Sequence, residues 1–208
     1  GIDKVHFGLE AAVSIPIYHT LALNGAVSWG QYTYDSNPYY LQTQDNSGDI
    51  VSDGYVYWKD FRVESTPQTA VNVGLSWRSN NNIYLSADFN YYNNMYLSMS
   101  PIYRTDAVIT TGMTAEDIAH LRRQEKFDSA YTLNASIGKN WYIHRKYTLG
   151  FSLDVKNILN NQDIKTGGYE QTRLSKNTET TVTTYQAFDS KYFYMFGTTY
   201  YLNLYFRF

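Results

Sequence analysis

The chain of 208 residues contains no cysteine and no long apolar run, and both absences narrow its class. Without cysteine it can form neither a disulfide bridge nor a thiolate metal site. No apolar run approaches the ~18 residues of a transmembrane helix, and the mean hydropathy is −0.45. The formal net charge is only −2. This argues against a nucleic acid as partner, because nucleic-acid-binding proteins present a basic surface.

Tyrosine is abundant instead, with 22 copies, and aromatic residues make up 17% of the chain. At the C-terminal end, every second residue from Tyr192 to Phe208 is large and apolar or aromatic, except Thr198. This period of two predicts an extended strand with two different faces. At roughly 3.3 Å per residue and a tilt near 40°, a strand over residues 192–208 covers roughly 40 Å, the thickness of a bilayer with its headgroups.

Six earlier segments show the same alternation. In the first of them Phe7 and Leu9 lie on one face, while Glu10 and Ser14 lie on the other. A carboxylate in mid-strand suits a water-filled lumen better than a dry core. The seven predicted strands cover residues 3–15, 21–34, 69–78, 83–98, 130–139, 147–159 and 192–208.

The connections between these strands are alternately short and long, which is typical of outer-membrane barrels with short periplasmic turns and long extracellular loops. The second long connection predicts one short helix over residues 115–124, and the first suggests a hairpin arm near residues 55–63. Seven strands are an odd number, whereas a single-chain bacterial barrel has an even number and an open edge in lipid is costly. The predicted fold is therefore all-β: an antiparallel transmembrane β-barrel segment of about seven long strands from a larger barrel.

Several motifs carry a family resemblance: Gly8-Leu9-Glu10, VKNILN at 155–160, GGYE at 167–170 and FGTTY at 196–200. In order along the chain, these motifs extend over nearly its whole length. This arrangement resembles the C-terminal barrel segment of TonB-dependent outer-membrane receptors from Bacteroidetes-like bacteria. The chain also ends on an aromatic residue preceded by alternating apolar ones. That ending resembles the signal read by the barrel-assembly machinery, and here it comprises Tyr200, Leu202, Leu204, Phe206 and Phe208.

The resemblance implies a 22-stranded barrel filled by an N-terminal plug, located in the bacterial outer membrane, that takes up a nutrient. Residues 1–208 would then be the C-terminal part of one barrel domain, with the plug and the N-terminal strands absent. The implied partners are the rest of the barrel and plug, outer-membrane lipids, the TonB complex and, as an option, a surface lipoprotein. The resemblance implies no enzymatic activity and leaves the ligand open among glycans, siderophores, haem, cobalamin and peptides.

The residues themselves suggest few sites. No catalytic grouping or cofactor motif is visible, the four histidines are scattered, and the oxygen-rich residues 45–49 lack the spacing of a calcium loop. Arg122 and Arg123 are interpreted either as a binding site for an anionic ligand or as a solvated helix face. The aromatic residues of the first long connection are candidates to stack on a ligand or to pack the loop: Tyr39, Tyr40, Tyr55, Tyr57 and Trp58.

Two alternative interpretations compete with the receptor. If residues 55–64 formed an eighth strand, the chain would be a small autonomous outer-membrane barrel, such as an adhesin, a porin or an enzyme. If the apolar faces were enclosed by protein, it would be a soluble all-β ligand-binding protein.

Overall fold

The computed structural model describes residues 1–64, 66–106, 114–144, 146–176 and 183–208. The chain is all-β and its sheets are antiparallel. Among the described residues no helix has the length and the apolar character needed to cross a membrane. In chain order the elements are β1 (Lys4–Tyr18), β2 (Leu21–Tyr34), β3 (Tyr39–Thr43), β4 (Ile50–Tyr55), β5 (Thr69–Arg78), β6 (Ile83–Asn93), a 3₁₀ helix (Pro101–Arg104), α1 (Ala115–Arg122), β7 (Ala130–Ile143), β8 (Tyr147–Lys156), β9 (Lys165–Lys176), β10 (Thr183–Tyr194) and β11 (Thr199–Arg207).

One seven-stranded sheet, in the order β1-β2-β5-β6-β7-β8-β11, contains one strand from each of the seven predicted segments. The first strand continues past Pro16 to Tyr18, which is tolerated because β1 is an edge strand and Pro16 lacks only a donor. The fourth ends at Asn93 rather than at residue 98, because Asn94 adopts a positive φ of 57° that does not fit a strand.

The prediction of one continuous strand over residues 192–208 is wrong, because residues 195–198 interrupt it between β10 and β11. Buried Asn157 stabilises this interruption, because its Nδ2 donates to the backbone oxygens of Asn161, at 2.9 Å, and Phe196, at 3.0 Å. Thr198 Oγ1 donates to the backbone oxygen of Asn157 at 2.9 Å. At Gly197 an added Cβ would lie 2.4 Å from Asn160 Oδ1, so a larger residue would displace this oxygen, which accepts the N–H of Thr198. β10 therefore pairs with β9, and β11 alone joins the sheet beside β8.

The register of the seven strands aligns their apolar faces into one surface. For example, Leu75 faces Leu23 on one side and Ala87 on the other, and Leu153 faces Ile137 and Leu202. A slip of one residue at any pair would mix the two faces. Large side chains on this surface are exposed in this chain, among them Phe7, Leu9, Val13, Val73, Leu75, Leu85, Phe89, Ile137 and Leu149.

The opposite face of the sheet carries short polar side chains that bond across strands. Asn24 accepts from Ser14 Oγ at 2.8 Å and donates to Ser76 Oγ at 3.1 Å. Ser28 Oγ donates to Glu10 Oε1 at 3.3 Å. The sheet thus separates an apolar surface from a hydrogen-bonded polar one, as the sequence alternation predicted.

Glycines on the polar face make room for tyrosine rings from neighbouring strands. Tyr205 lies directly opposite Gly150, and a Cβ built at Gly150 would be 2.3 Å from the ring Cζ. Tyr84 lies opposite Gly138 in the same way, at 2.1 Å. A Cβ at either position would displace the ring, so these glycines allow its close approach to the backbone.

Connection lengths segregate by end of the sheet. The turns β1–β2, β5–β6 and β7–β8 are short, while the three long connections all leave from the other end. We call the described residues of these connections (35–64, 66–68, 94–106, 114–129, 157–176 and 183–198) the loop cap. Of the predicted turns and connections, residues 65, 107–113, 145 and 177–182 lie outside the described residues.

The loop cap contains more regular structure than the sequence predicted. The helix is confirmed as α1, two residues shorter than expected. The hairpin arm predicted near residues 55–63 is wrong in position, because β3 and β4 form the hairpin of the first connection. Residues 56–64 form no strand and bridge to β2 between Arg62 and Thr33. The third connection, predicted as a loop, contains the β9–β10 hairpin.

Candidate functional site

The buried core of the chain lies mainly in the loop cap and not in the sheet. Two apolar clusters form there, each drawing residues from more than one connection. One cluster contains Met95, Leu97, Phe127, Ala130 and Ile164. The other contains Tyr34, Val56, Trp58 and Met99. The cap is thus a packed layer that can hold side chains in fixed positions.

A buried ion pair between Arg104 and Glu170 lies at the centre of this layer. The Arg104 side chain is 0% exposed and that of Glu170 is 10% exposed. Arg104 Nη1 bonds Glu170 Oε2, and Nη2 lies 2.8 Å from Oε1, so the pair is bidentate. Glu170 Oε2 also accepts the backbone N–H of Ser100 at 2.8 Å. Removal of either partner would leave a buried charge uncompensated, which is strongly destabilising.

Arg104 joins all three long connections. Its Nη2 donates to the backbone oxygen of Arg123 at 3.0 Å. The Arg104 backbone oxygen accepts the N–H of Tyr57 at 2.7 Å, and its guanidinium lies 5.6 Å from the ring centre of Phe61. With Glu170 from β9, residues of the first, second and third connections meet at one side chain.

A second, more exposed charged group lies around Glu125. Its carboxylate accepts from Lys165 Nζ at 3.3 Å and from the hydroxyl of Tyr192 at 2.9 Å. Lys165 Nζ also lies 3.7 Å from the centre of the Tyr192 ring. Partial burial, and then the hydrogen bond to Glu125, raise the pKa of the Tyr192 hydroxyl.

The five aromatic ligand candidates do not form one site. Tyr39 and Tyr55 face each other across the β3–β4 hairpin, with ring centres 5.5 Å apart, and are 59% and 61% exposed. Trp58 packs in the apolar cluster with Tyr34, at 5.0 Å between rings, and Tyr40 packs against the same cluster. Of these five candidates, the Tyr39–Tyr55 pair and Tyr57 therefore present aromatic surface to a ligand.

Tyr57 lies beside the first of the two neighbouring arginines. Its hydroxyl donates to Asp106 Oδ2 at 3.0 Å, and this bond raises its pKa. Arg122 lies over the Tyr57 ring at 5.3 Å and contacts Asp106 Oδ1 at 3.3 Å. The Arg122 side chain is thus engaged within the cap, while that of Arg123 lines a separate groove.

This groove, of about 580 Å³, lies between the end of α1 and the β9–β10 hairpin. Its volume falls within the range of small-molecule sites. The lining residues relevant to charge and shape are Tyr103, Arg123, Glu125, Lys126, Glu170 and Phe188. We call it the cap groove.

Two other sequence-derived sites can be placed. Residues 45–49 form the tip of the β3–β4 hairpin, where the N–H of Gly48 bonds the Gln44 oxygen at 2.9 Å. Within the described ranges, no group of three or more His, Asp or Glu residues is arranged to hold a metal ion. The residues of the assembly-signal resemblance, Tyr200 to Phe208 at alternate positions, are 56% to 94% exposed on the apolar surface.

The Arg104–Glu170 pair was not predicted from the sequence. The two residues are 66 positions apart, and nothing local marks Arg104 as buried except that it follows Ile102 and Tyr103. Glu170 belongs to the GGYE motif, but the motif does not name its partner. Comparison with protein-family models and with curated proteins finds no match to this chain.

Proposed function

We propose that this chain is the barrel-wall and extracellular-loop portion of a TonB-dependent nutrient uptake receptor in the bacterial outer membrane. The observation that carries the proposal is the sheet itself. Its apolar surface is continuous and exposed, while its polar surface is hydrogen-bonded across strands. Such a division suits a wall with hydrocarbon on one side and water on the other.

The strand directions support a larger barrel over a small autonomous one. All neighbours in the sheet are antiparallel, so β1 and β11, the first and seventh strands, run in the same direction. They cannot close an all-antiparallel barrel by pairing with each other. Closure needs an odd number of further strands, and a 22-stranded barrel would supply them. Unpaired edges in lipid would cost several kcal/mol per backbone group.

The connections at the two ends of the sheet support one orientation in the membrane. Short turns at one end suit the periplasmic side and the loop cap suits the extracellular side. In this arrangement the chain contributes wall and loops, while a plug from another part of the receptor gates transport. The remaining partners are the TonB complex and, as an option, a surface lipoprotein above the cap.

Site-directed labelling tests the two-solvent wall directly, because the chain has no native cysteine. Spin labels at Leu202→Cys and Asn203→Cys occupy neighbouring positions on opposite faces of β11. We expect the label at position 202 to be relaxed by oxygen, which concentrates in lipid, and that at 203 by a water-soluble nickel complex. Leu153→Cys and Ser152→Cys on β8 are the matched second pair. Equal accessibility to both reagents within each pair would refute the membrane wall.

Two further measurements separate the alternatives. A protein that purifies monodisperse without detergent would favour the soluble ligand-binding interpretation and refute the proposal. The intact mass of the protein taken from its own membrane fraction distinguishes the other two, since a receptor carries several hundred more residues. A mass equal to that of the 208 residues alone would favour the small barrel.

A further inference from the structure

Within the described residues, the lining of the cap groove contains two cationic side chains that form no ion pair. Of the two acidic residues in its lining, Glu125 is paired with Lys165 and Glu170 with Arg104. Both of these cations approach from outside the named lining. Arg123 and Lys126 are the remaining cations of the lining, and in the described part of the chain neither has a carboxylate within 4 Å.

The two arginines at the end of α1 differ in the contacts of their side chains. Arg122 is fixed by Asp106, by the Thr105 backbone oxygen at 3.3 Å and by the Tyr57 ring. The backbone of Arg123 is fixed by its bond with Arg104, but its side chain is exposed at the groove. A guanidinium held at its backbone end and exposed at its charged end is suited to bind a carboxylate or phosphate in bidentate geometry.

The groove also offers an apolar wall. Phe188 on β10 is 43% exposed and lines the groove together with the ring of Tyr103. A ligand that combines an anionic group with a flat apolar part would fill both halves. A purely inorganic anion would contact only the cations, and an uncharged ring would leave them without a partner.

We propose that the cap groove binds a small organic anion, with its carboxylate or phosphate between Arg123 and Lys126 and its apolar part on Phe188. This site deepens the proposed function, on which it rests for its place on the extracellular side and for its role in selecting what is taken up. The binding itself depends only on the groove.

The test measures binding of phenyl phosphate to the full-length protein by isothermal titration calorimetry, with inorganic phosphate and benzyl alcohol as comparison probes. We expect saturable binding of phenyl phosphate, weaker binding of inorganic phosphate and no measurable binding of benzyl alcohol. Binding should weaken as salt increases, because exposed charges are screened.

Variants identify the groove as the site. Arg123→Gln and Lys126→Gln should each weaken binding about tenfold, the size of one charge-assisted hydrogen bond. Lys59→Gln is the matched control, because it removes the same charge from an exposed cap position outside the groove and should leave binding unchanged. Phe188→Ala should lower the affinity for phenyl phosphate to that for inorganic phosphate.

The outcomes separate this inference from the proposed function. Unchanged binding in the Arg123→Gln/Lys126→Gln double variant, or the absence of saturable binding, would overturn the groove as an anion site while leaving the labelling pattern of the wall intact. Binding that is lost in the double variant, in a protein found to be monodisperse without detergent, would support the groove and overturn its extracellular placement.

Discussion

Removal of the Arg104–Glu170 pair should loosen all three connections of the loop cap together. Glu170→Gln leaves the Arg104 guanidinium, which is 0% exposed, without its counter-ion. Breaking a buried pair by one partner costs about 3–5 kcal/mol. Because Arg104 also holds the Arg123 backbone oxygen and accepts the Tyr57 N–H, the loss should reach segments distant in sequence.

Hydrogen–deuterium exchange followed by mass spectrometry measures this effect by segment. We expect faster exchange in peptides covering residues 56–61, 98–105 and 165–171, by roughly 100-fold for a local loss of about 3 kcal/mol. Exchange in β7 and β8 of the sheet should not change, because their backbone hydrogen bonds lie within the sheet itself.

Two further variants serve as controls. Asp106→Asn breaks the exposed pair with Arg122 and should cost less than about 1 kcal/mol. The double variant Arg104→Met/Glu170→Gln removes both charges and should recover much of the protection, which a double-mutant cycle quantifies. If Glu170→Gln accelerates exchange only in residues 165–171, the pair does not couple the connections and the account is wrong.

Two further predictions concern the sheet and the pH response of the cap. Gly150→Ala should destabilise the folded protein by about 1–3 kcal/mol, because the new Cβ meets the Tyr205 ring; urea unfolding should show the loss, and Tyr205→Ala in the same chain should relieve it. The raised pKa of Tyr192 means that the folded cap favours its neutral hydroxyl, so this contribution to stability is complete below the unfolded-state pKa of about 10. It should be lost as the pH rises above that value through the folded pKa, and thermal unfolding of Tyr192→Phe should show a smaller alkaline loss than the parent chain.

The strands could be predicted from the sequence because, in a sheet with one apolar and one polar face, apolar and polar residues alternate along each strand. Leu149 and Asp154 fall on opposite faces whatever the rest of the chain does, since successive side chains alternate. The ends were harder to predict. Asn94 and Asn157 end their strands through positive φ angles. Because such angles are uncommon in residues other than glycine, an asparagine in the sequence does not by itself predict one.

The loop cap could not be predicted in this way. The interruption at Gly197 depends on Asn157 and Asn160, about 40 positions earlier, and in the local sequence only Gly197 and the Thr198 exception to the alternation mark it. Among the aromatic candidates, Trp58 and Tyr55 lie three positions apart in one aromatic stretch, yet one is buried and the other exposed. Their difference arises from packing against residues of other connections.

By itself the sequence determined which side chains share a face and at which end the long connections lie, because both follow from spacing along one chain. Only the tertiary structure decided which charges are buried, which are paired and which stay open to a ligand. Arg104, Arg122 and Arg123 have the same chemistry, and their different roles depend on carboxylates and carbonyl groups that folding brings from distant segments.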